Sequence, residues 1–439
     1  MASGPGHLPS KKVMVSEPER IAHPVVASIG GVALTQLLGG ITGVVLARGL
    51  GPEGRGLLAS MILWPTFAIS IGDLGLGNSL AYYAASSVSA TSLLRLGRLA
   101  AVLQSSYLVP FGLVLSYIML GRGASSHVEA SFLLVLAFIP AGLISRYVAA
   151  VLQGRLLLVR FYAIRNAMAL VSALVLISLV AGPGITVSGA VMAYIAGLGV
   201  MVGVSIAFMR SMTLTGTAGR DASVRDLLSF GVRSLPGSLH PVESLLLDQV
   251  IITLVLGYED LGLYISAVAI TNLPRLVGFA VGTVAMPTVA QASDSQRRAV
   301  AKRILVWSVL GTGIIATASI VFMPILMNVL FGRAFHSSIP TARILAVGSF
   351  AFGLKRIAGD ILRGMERPGL ISAVEAVSWP LTIVAMIMGS SGGLAGVAAG
   401  LAGMNVLTLI VSCGLLARAT GRRDSQHHSR VAHGRGESA

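Results

Sequence analysis

Charged side chains within long apolar stretches are the residues of this sequence with the most chemistry to offer. A charge inside a membrane-spanning helix costs about 2.5–3.5 kcal/mol on insertion scales, so such residues usually face a cavity and take part in function. The candidates are Arg146, Arg165, Arg233, Glu243, Asp248, Arg275, Lys355, Arg356, Asp360 and Glu375.

Arg275 is the charge that is hardest to explain as a structural residue. It follows Pro274 and lies about 20 Å along its predicted helix, counting about 1.5 Å per residue. Its guanidinium cannot reach either membrane surface from there, so we predict that it contacts a ligand. Glu243 and Asp248, on the preceding helix, are predicted to bind a coupling proton or sodium ion, or else to neutralise Arg275.

A second set of basic residues comes from both halves of the chain and lies in the cytoplasmic third of the predicted helices. This placement predicts a cationic vestibule that opens on that side of the membrane. The alternative is that each side chain extends its aliphatic part to reach water at the interface. Arg356 and Asp360, four residues apart, are also placed to pair on one helix face. The set comprises Arg146, Arg165, Arg233, Lys355 and Arg356.

The seventh apolar stretch is interrupted by three helix-breaking residues, Pro236, Gly237 and Pro241. Proline removes a backbone hydrogen bond and bends a helix. We therefore predict a hinge at this point, with a static kink as the alternative.

Composition indicates what holds these residues in place. Hydrophobic residues make up 54% of the 439 residues and charged residues only 11%, and the mean hydropathy is +0.84. Such a chain has too little polar surface for a water-soluble globule. Helices must span the lipid, because backbone polar groups have no water to bond there and the alternation of a β-barrel is absent.

About twelve stretches reach the roughly 20 residues that cross a hydrocarbon core, which predicts an all-α polytopic membrane protein. The first half supplies 25–47, 57–83, 97–120, 130–153, 162–181 and 185–209, and the second half supplies 227–256, 262–288, 304–331, 338–362, 369–389 and 393–417.

An internal repeat divides these helices into two sets of six. In the segments LARGLGPEGRGLLASMI and TLVLGYEDLGLYISAVA, Gly51 and Gly56 correspond to Gly257 and Gly262 at an offset of 206 residues. Later in each half, Gly154 corresponds to Gly364. A duplicated, apolar chain of this kind is typical of a membrane transporter.

Most of the 32 Lys and Arg residues fall in the tails and in alternate loops, which predicts that both termini are cytoplasmic. The net charge of +15 then reflects topology and attraction to anionic membrane lipids rather than nucleic acid. The predicted units are an N-tail (1–22), an N-lobe (23–210), a cytoplasmic linker (211–226), a C-lobe (227–418) and a disordered C-tail (419–439).

Several kinds of chemistry have no motif here. The sequence contains no Walker A loop, no HExxH motif and no GxSxG elbow, so we predict neither ATP-driven transport by this chain nor an enzyme. The single cysteine, Cys413, permits no disulfide within the chain. No cofactor and no metal site are predicted.

Six motifs resemble the polysaccharide flippases of the multidrug/oligosaccharidyl-lipid/polysaccharide exporter (MOP) superfamily, in order and spacing over about residues 25 to 418. The resemblance implies two six-helix lobes around a central cavity that alternately opens to each side. It also implies passage of a lipid-linked oligosaccharide from the cytoplasmic to the outer leaflet of the cytoplasmic membrane. The motifs are ARGLGPEGRGLLA, DLGLGNSLAYYAA, LLSFGVRSLPGSL, DQVIITLVLGYEDLGLYISAVA, FGRAF and LRGMERPG.

The substrate that the resemblance implies carries a phosphate or pyrophosphate between its lipid and its sugars. Arginine suits such a group because its planar guanidinium offers a fork of donors. We therefore expect Arg275 to bind the phosphate, assisted by Arg146, Lys355 and Arg356. The glycosyltransferases or polymerase of the same pathway are the expected protein partners.

Three alternatives remain at this point. Peptidoglycan-precursor flippases of the superfamily have an arginine and an aspartate in helix one, where this chain has Thr35 and Gln36. Multidrug extruders move cations, which a basic cavity accommodates poorly. A non-transporting scaffold of a polysaccharide synthase complex would have no use for charges near the middle of the membrane.

Overall fold

The computed structural model describes residues 17–86, 88–120, 125–214, 219–238, 242–293, 296–365 and 368–434, which are helical almost throughout. The helices of the first half are α1 (Glu17–Gly72), α2 (Leu76–Ala84), α3 (Ala90–Leu120), α4 (Ser125–Gly154), α5 (Leu158–Ala181) and α6 (Val187–Leu214). Those of the second half are α7 (Val224–Ser238), α8 (Leu247–Val255), α9 (Tyr258–Thr271), α10 (Leu273–Gln291), α11 (Arg297–Leu330), α12 (Ile339–Gly364), α13 (Pro368–Gly389) and α14 (Gly393–Gly434). Short 3₁₀ turns, Arg333–Ser338 and Ser390–Gly392, precede α12 and α14.

Each of the twelve predicted spans has a helical counterpart. Helix α1 holds the first span and, after a kink at Gly51, most of the second, which α2 completes. Helices α7 and α8 together form the seventh span, and α9 and α10 form the eighth with a bend of 48° between them. The remaining spans correspond to α3, α4, α5, α6, α11, α12, α13 and α14.

Length and hydropathy alone identify fewer crossings among the described residues. Seven stretches pass that test, or eight with the bent pair, and two of them, 30–72 and 369–418, each hold two predicted spans. Helix α12 does not pass the test because it carries the charged residues Lys355, Arg356 and Asp360. Helices α7 and α8 do not pass because each is too short to cross the membrane alone. Charges and breaks therefore concentrate in the second half.

The internal repeat is visible in the backbone. Gly51 and Gly257, which correspond in the two halves, both have a positive φ (68° and 103°) with nearly the same ψ (−177° and −172°). Gly184 and Gly393, at the turns before the last helix of each half, also have a positive φ. Glycine adopts this conformation without the strain that a Cβ would add, so its spacing marks equivalent turns.

Each half packs around its own core. In the first half, Leu93, Leu143 and Tyr147 are fully enclosed between α2, α3 and α4. In the second half, Tyr264 and Phe335 lie in a core formed by α9, α11, α12 and α14.

The two halves meet through backbone as well as side chains. A Cβ on Gly56 would lie 1.7 Å from the carbonyl oxygen of Tyr258, and one on Gly262 would lie 1.9 Å from that of Pro52. These equivalent glycines thus allow α1 and α9 to touch at the repeat axis.

A second contact joins α2 of the first half to α7 of the second. The Ser79 hydroxyl donates to the carbonyl oxygen of Leu227 at 2.8 Å, and the ring of Tyr82 stacks on that of Phe230 at 4.4 Å between centroids. Helix α7 is therefore attached to the N-terminal half at this contact.

The chain differs from the predictions near the hinge and at its ends. Pro236 and Gly237 lie in the last turn of α7, whereas Pro241 lies outside the described residues. The predicted span 227–256 is thus divided into α7 and α8, close to the predicted hinge. Helix α1 begins at Glu17, within the predicted N-tail, and α14 continues to Gly434, through most of the predicted disordered tail. Extending an existing helix adds one hydrogen bond per residue without a new nucleus.

The glycine contact gives a first prediction. Gly56→Ala introduces a methyl group where the Tyr258 carbonyl leaves no room, so we expect it to destabilise the fold by about 1–3 kcal/mol. Thermal unfolding in detergent measures the effect. Gly39→Ala is the matched control, because a Cβ there meets nothing within 4 Å. Equal stability of the two variants would contradict the contact.

Candidate functional site

A cavity with a volume of about 830 Å³ lies between the N-terminal helices and α7 and is lined by two of the predicted charged residues. Its wall is rich in hydroxyl and amide groups, and none of the described residues that line it is acidic. The polar lining residues are Thr35, Thr66, Ser70, Asn78, Ser145, Arg146, Gln153, Arg165 and Ser234.

Two arginines give this cavity its charge. Arg146 projects from α4 with 47% of its side chain exposed, and its Nη2 lies 3.3 Å from Oδ2 of Asp73. Arg165 projects from α5, is exposed, and stacks on Phe161 with 5.6 Å between its guanidinium carbon and the ring centre. The structure thus brings Arg146 and Arg165 together, whereas Arg233 is exposed on α7 and is not among the lining residues.

Short hydrogen bonds position the helices that carry these arginines. The Thr35 hydroxyl of α1 donates to Oδ1 of Asn166 at 2.7 Å, next to Arg165. Asn166 donates in turn to the carbonyl oxygen of Gly31 at 3.3 Å. Buried polar groups inside a helix bundle need such partners, and here they tie α5 to α1 beside the cavity.

Arg275, the predicted ligand contact, lies in the C-terminal half and is already engaged. Its Nη2 is 3.0 Å from Oε1 of Glu243, and its Nη1 donates to Oδ1 of Asn272 at 3.2 Å. The guanidinium also lies over the ring of Phe352, 4.2 Å from its centre. Glu243 therefore pairs with Arg275, the contact that the second of its two predicted roles requires.

The other two basic residues predicted to bind phosphate in this half are paired as well. Nζ of Lys355 is 3.9 Å from Oε1 of Glu375, and Nε of Arg356 is 4.0 Å from Oδ2 of Asp360. Arg363 contacts the other oxygen of Asp360 at 2.7 Å. Arg356 and Asp360 thus pair on one helix face, as the alternative predicted.

These pairs correct the picture of a single cationic vestibule. Lys355 and Arg356 line a cavity of about 310 Å³ together with Glu243 and Glu375, so that its charges are mixed. Arg146 lines the other cavity, in the N-terminal half. The reason is that an unpaired charge in a low-dielectric interior is costly, so acids from neighbouring helices compensate the bases.

Asp248 is buried in the first turn of α8 and has one free oxygen. Its Oδ2 accepts a hydrogen bond from the Tyr264 hydroxyl at 2.7 Å, whereas its Oδ1 has no hydrogen-bond partner among the described residues. It lines a narrow cavity of about 50 Å³ that Thr271 and Asn405 also line. A space of this size holds a water molecule or a small cation.

Sequence reasoning missed Asp73. It is buried at the end of α1, inside the predicted second span, and pairs with Arg146. The sequence could have indicated it, because Asp73 is a charged residue within an apolar stretch, like the candidates chosen in the sequence analysis. Among the described residues, no group of three His, Cys, Asp or Glu side chains is placed to hold a metal ion.

Comparison with known proteins places this geometry in context. A family model described as "Polysaccharide biosynthesis protein" matches residues 23–293. No curated protein matches the sequence.

Several solved structures share the fold. An inward-facing multidrug resistance transporter of the MATE family, within the MOP superfamily, has a TM-score of 0.68 at 15% identity, covering 90% of this chain and 99% of that one. An outward-facing transporter of the same description has a TM-score of 0.58 at 16% identity, covering 92% and 96%. A MOP superfamily transporter from Pyrococcus furiosus also has a TM-score of 0.58 at 16% identity, covering 91% and 94%. The predicted all-α fold of two six-helix sets is confirmed.

The ion pair between Glu243 and Arg275 gives a second prediction. Each single change, Glu243→Gln or Arg275→Gln, removes the charge–charge contact of this partly buried pair and should lower stability. The double variant should recover part of the loss, with a coupling energy of about 1–2 kcal/mol. A double-mutant cycle of unfolding in mixed micelles measures this value, and strictly additive losses would show that the pair contributes nothing.

Proposed function

Since the chain belongs to the polysaccharide biosynthesis protein family, we propose that it flips a polyprenyl-phosphate- or pyrophosphate-linked oligosaccharide from the cytoplasmic to the outer leaflet. Its family and fold are those of membrane transporters rather than enzymes. The observation that carries the proposal is the cavity of about 830 Å³, whose described wall contains Arg146 and Arg165 and no acid.

The proposed binding mode follows from the chemistry of the wall. A cavity of this size lies within the range of about 300–1,000 Å³ that small-molecule sites occupy. The phosphate lies between Arg146 and Arg165, and the sugar hydroxyls bond to side chains such as Asn78 and Gln153. The polyprenyl tail remains in the lipid, so its apolar surface is not exposed to water.

Arg275, Lys355 and Arg356 are assigned a different part from the one first predicted. Their cavities are lined by acids, Asp248 in that of Arg275, and Glu243 and Glu375 in that of Lys355 and Arg356. We therefore assign the first phosphate contact to the arginines of the N-terminal cavity, whose described lining contains no acid. Arg275, Glu243 and Asp248 form the proposed ion-coupled group, because a proton or sodium ion at Asp248 would change the balance of charge around Arg275.

The proposed cycle uses the division of the seventh span. In the predicted orientation, with both termini in the cytoplasm, the cavity opens to the cytoplasmic side and the Gly56–Gly262 contact closes the outer side. The higher similarity to the inward-facing than to the outward-facing structure supports this assignment. Bending between α7 and α8, at Pro236 and Gly237, would then close the cavity after the substrate has entered.

Multidrug extrusion is the second candidate, since transporters of that kind share the fold. The basic wall argues against it, because a cationic drug would be repelled by Arg146 and Arg165. For the Pyrococcus furiosus transporter, reverse polarity of the binding pocket suggests a different function. Pocket charge is therefore a reasonable criterion within the superfamily. Glycosyltransferases or a polymerase of the same pathway remain the proposed partners.

Transport into proteoliposomes tests the proposal. With a fluorescent polyprenyl-pyrophosphate oligosaccharide, Arg146→Ala and Arg165→Ala should each lower the flipping rate at least about tenfold, which corresponds to about 1.4 kcal/mol of lost phosphate binding. Arg160→Ala is the matched control, because Arg160 is on the same helix but stacks on Phe208. Full activity of both cavity variants would contradict the assignment, and efflux of organic cations instead would favour the extruder.

The ion-coupled group has its own test. Asp248→Asn removes the carboxylate that would bind a proton or sodium ion, so the flipping rate should no longer respond to an imposed ion gradient. The rate is measured with and without a pH or sodium gradient across the liposomes. A gradient response equal to that of the unmodified protein would exclude Asp248 from coupling.

A further inference from the structure

Asp73 occupies an interruption of the second span. Helix α1 ends at Gly72, and α2 begins at Leu76. Between them, Leu74 and Gly75 both have a positive φ (51° and 72°), which is unusual for leucine. The break places the Asp73 carboxylate just before the first turn of α2, where its Oδ1 accepts a hydrogen bond from the N–H of Gly77 at 3.3 Å.

Arg146 is shared between this carboxylate and the large cavity. The side chain of Asp73 is only 5% exposed, whereas that of Arg146 is 47% exposed. The two are 3.3 Å apart, longer than the roughly 2.7–2.9 Å of a strong charge-assisted bond. Nη2 of Arg146 therefore makes a long contact with Asp73, while the side chain also lines the cavity.

The other groups around Asp73 are neutral hydrogen-bonding residues. Helix α4 contributes Tyr147, whose hydroxyl donates to Gln104 of α3. Helix α3 also contributes Tyr107, whose hydroxyl donates to the carbonyl oxygen of Gly72 at 3.3 Å. From α7, the backbone of Gly231 approaches Gly75. Among the described residues, Arg146 is the basic group that pairs with Asp73.

We propose that Asp73 and the substrate phosphate compete for Arg146, and that Asp73 takes up a proton from water when the phosphate binds. The inference rests on the proposed function, since it requires an anionic group in the cavity. When the guanidinium turns to the phosphate, a buried carboxylate is left without its counter-charge, and protonation removes that cost. Hydronium supplies the proton: one of its O–H bonds breaks, the O–H of Asp73 forms, and a water molecule is left.

In this exchange, the proton taken up by Asp73 offsets the negative charge that the phosphate brings into the cavity. With Asp73 ionised, the pair is neutral and Arg165 alone attracts the phosphate. With Asp73 protonated, both arginines are available. Binding of the anion and binding of the proton therefore favour each other, as linkage requires.

Binding of a polyprenyl-phosphate hexose to the full chain in lipid nanodiscs tests the inference. This probe is a phosphodiester, so it lacks the second ionisation near about pH 6 that a phosphomonoester has. Calorimetry in buffers of different ionisation enthalpy gives the affinity and the number of protons taken up. For the unmodified protein we expect an affinity that rises by up to about tenfold per pH unit as the pH falls, with uptake approaching one proton per ligand.

Asp73→Asn should bind the probe tightly at neutral pH, with no proton uptake and a flat pH profile. Asp226→Asn is the matched control, since Asp226 is an exposed carboxylate on α7, and it should behave like the unmodified protein. Proton uptake that persists in Asp73→Asn would overturn the inference. Binding to the unmodified protein without proton uptake would also overturn it, even if Asp73→Asn does not fold. Absence of binding at every pH would contradict the proposed function itself.

Discussion

Pairing of charges inside a lipid-solvated bundle is the constraint on which the rest of this structure depends. Arg275 contacts Glu243, Lys355 contacts Glu375, and Asp360 is contacted by both Arg356 and Arg363. Lipid offers no hydration to an ion, so these basic groups are accompanied by acids, and Arg275, Lys355 and Arg356 also lie over aromatic rings. Arg275, Lys355 and Arg356, which are most of the basic residues that suggested anion binding, are therefore each paired with an acid.

The N-terminal cavity departs from this balance, and the departure indicates its use. Its described wall contains Arg146 and Arg165 but no acid, and Asp73, the partner of Arg146, lies behind the wall. A cavity with this excess of positive charge favours an anionic group such as a phosphate. The same reasoning separates a lipid-linked sugar from an organic cation, which the shared fold cannot do.

The two halves are joined so that such a cavity can exist between them. The glycines Gly56 and Gly262 bring α1 and α9 into backbone contact, while α2 and α7 meet through Ser79, Tyr82 and Phe230. The halves are closely packed at these contacts, and the cavity lined by the N-terminal helices and α7 lies apart from the α1–α9 contact. The divided seventh span and the break at Asp73 adjoin this space, and irregular backbone is tolerated at membrane depth only where it faces protein or water.

The sequence by itself determined that the chain lies in lipid, the number of spans and the internal repeat. It could do so because hydropathy, span length and equivalent glycines are local properties. Gly51 and Gly257, which the repeat paired, both have a positive φ, and the motifs indicated the superfamily whose fold the chain shares. It could not assign partners to the charges, because Arg146 and Asp73 lie 73 residues apart, and Arg275 and Glu243 lie 32 apart. Only the tertiary structure decided which bases are neutralised and which face an open cavity, since that depends on how helices distant in sequence pack together. Local pattern fixes where a charge lies along its helix, and packing decides whether it is free to bind.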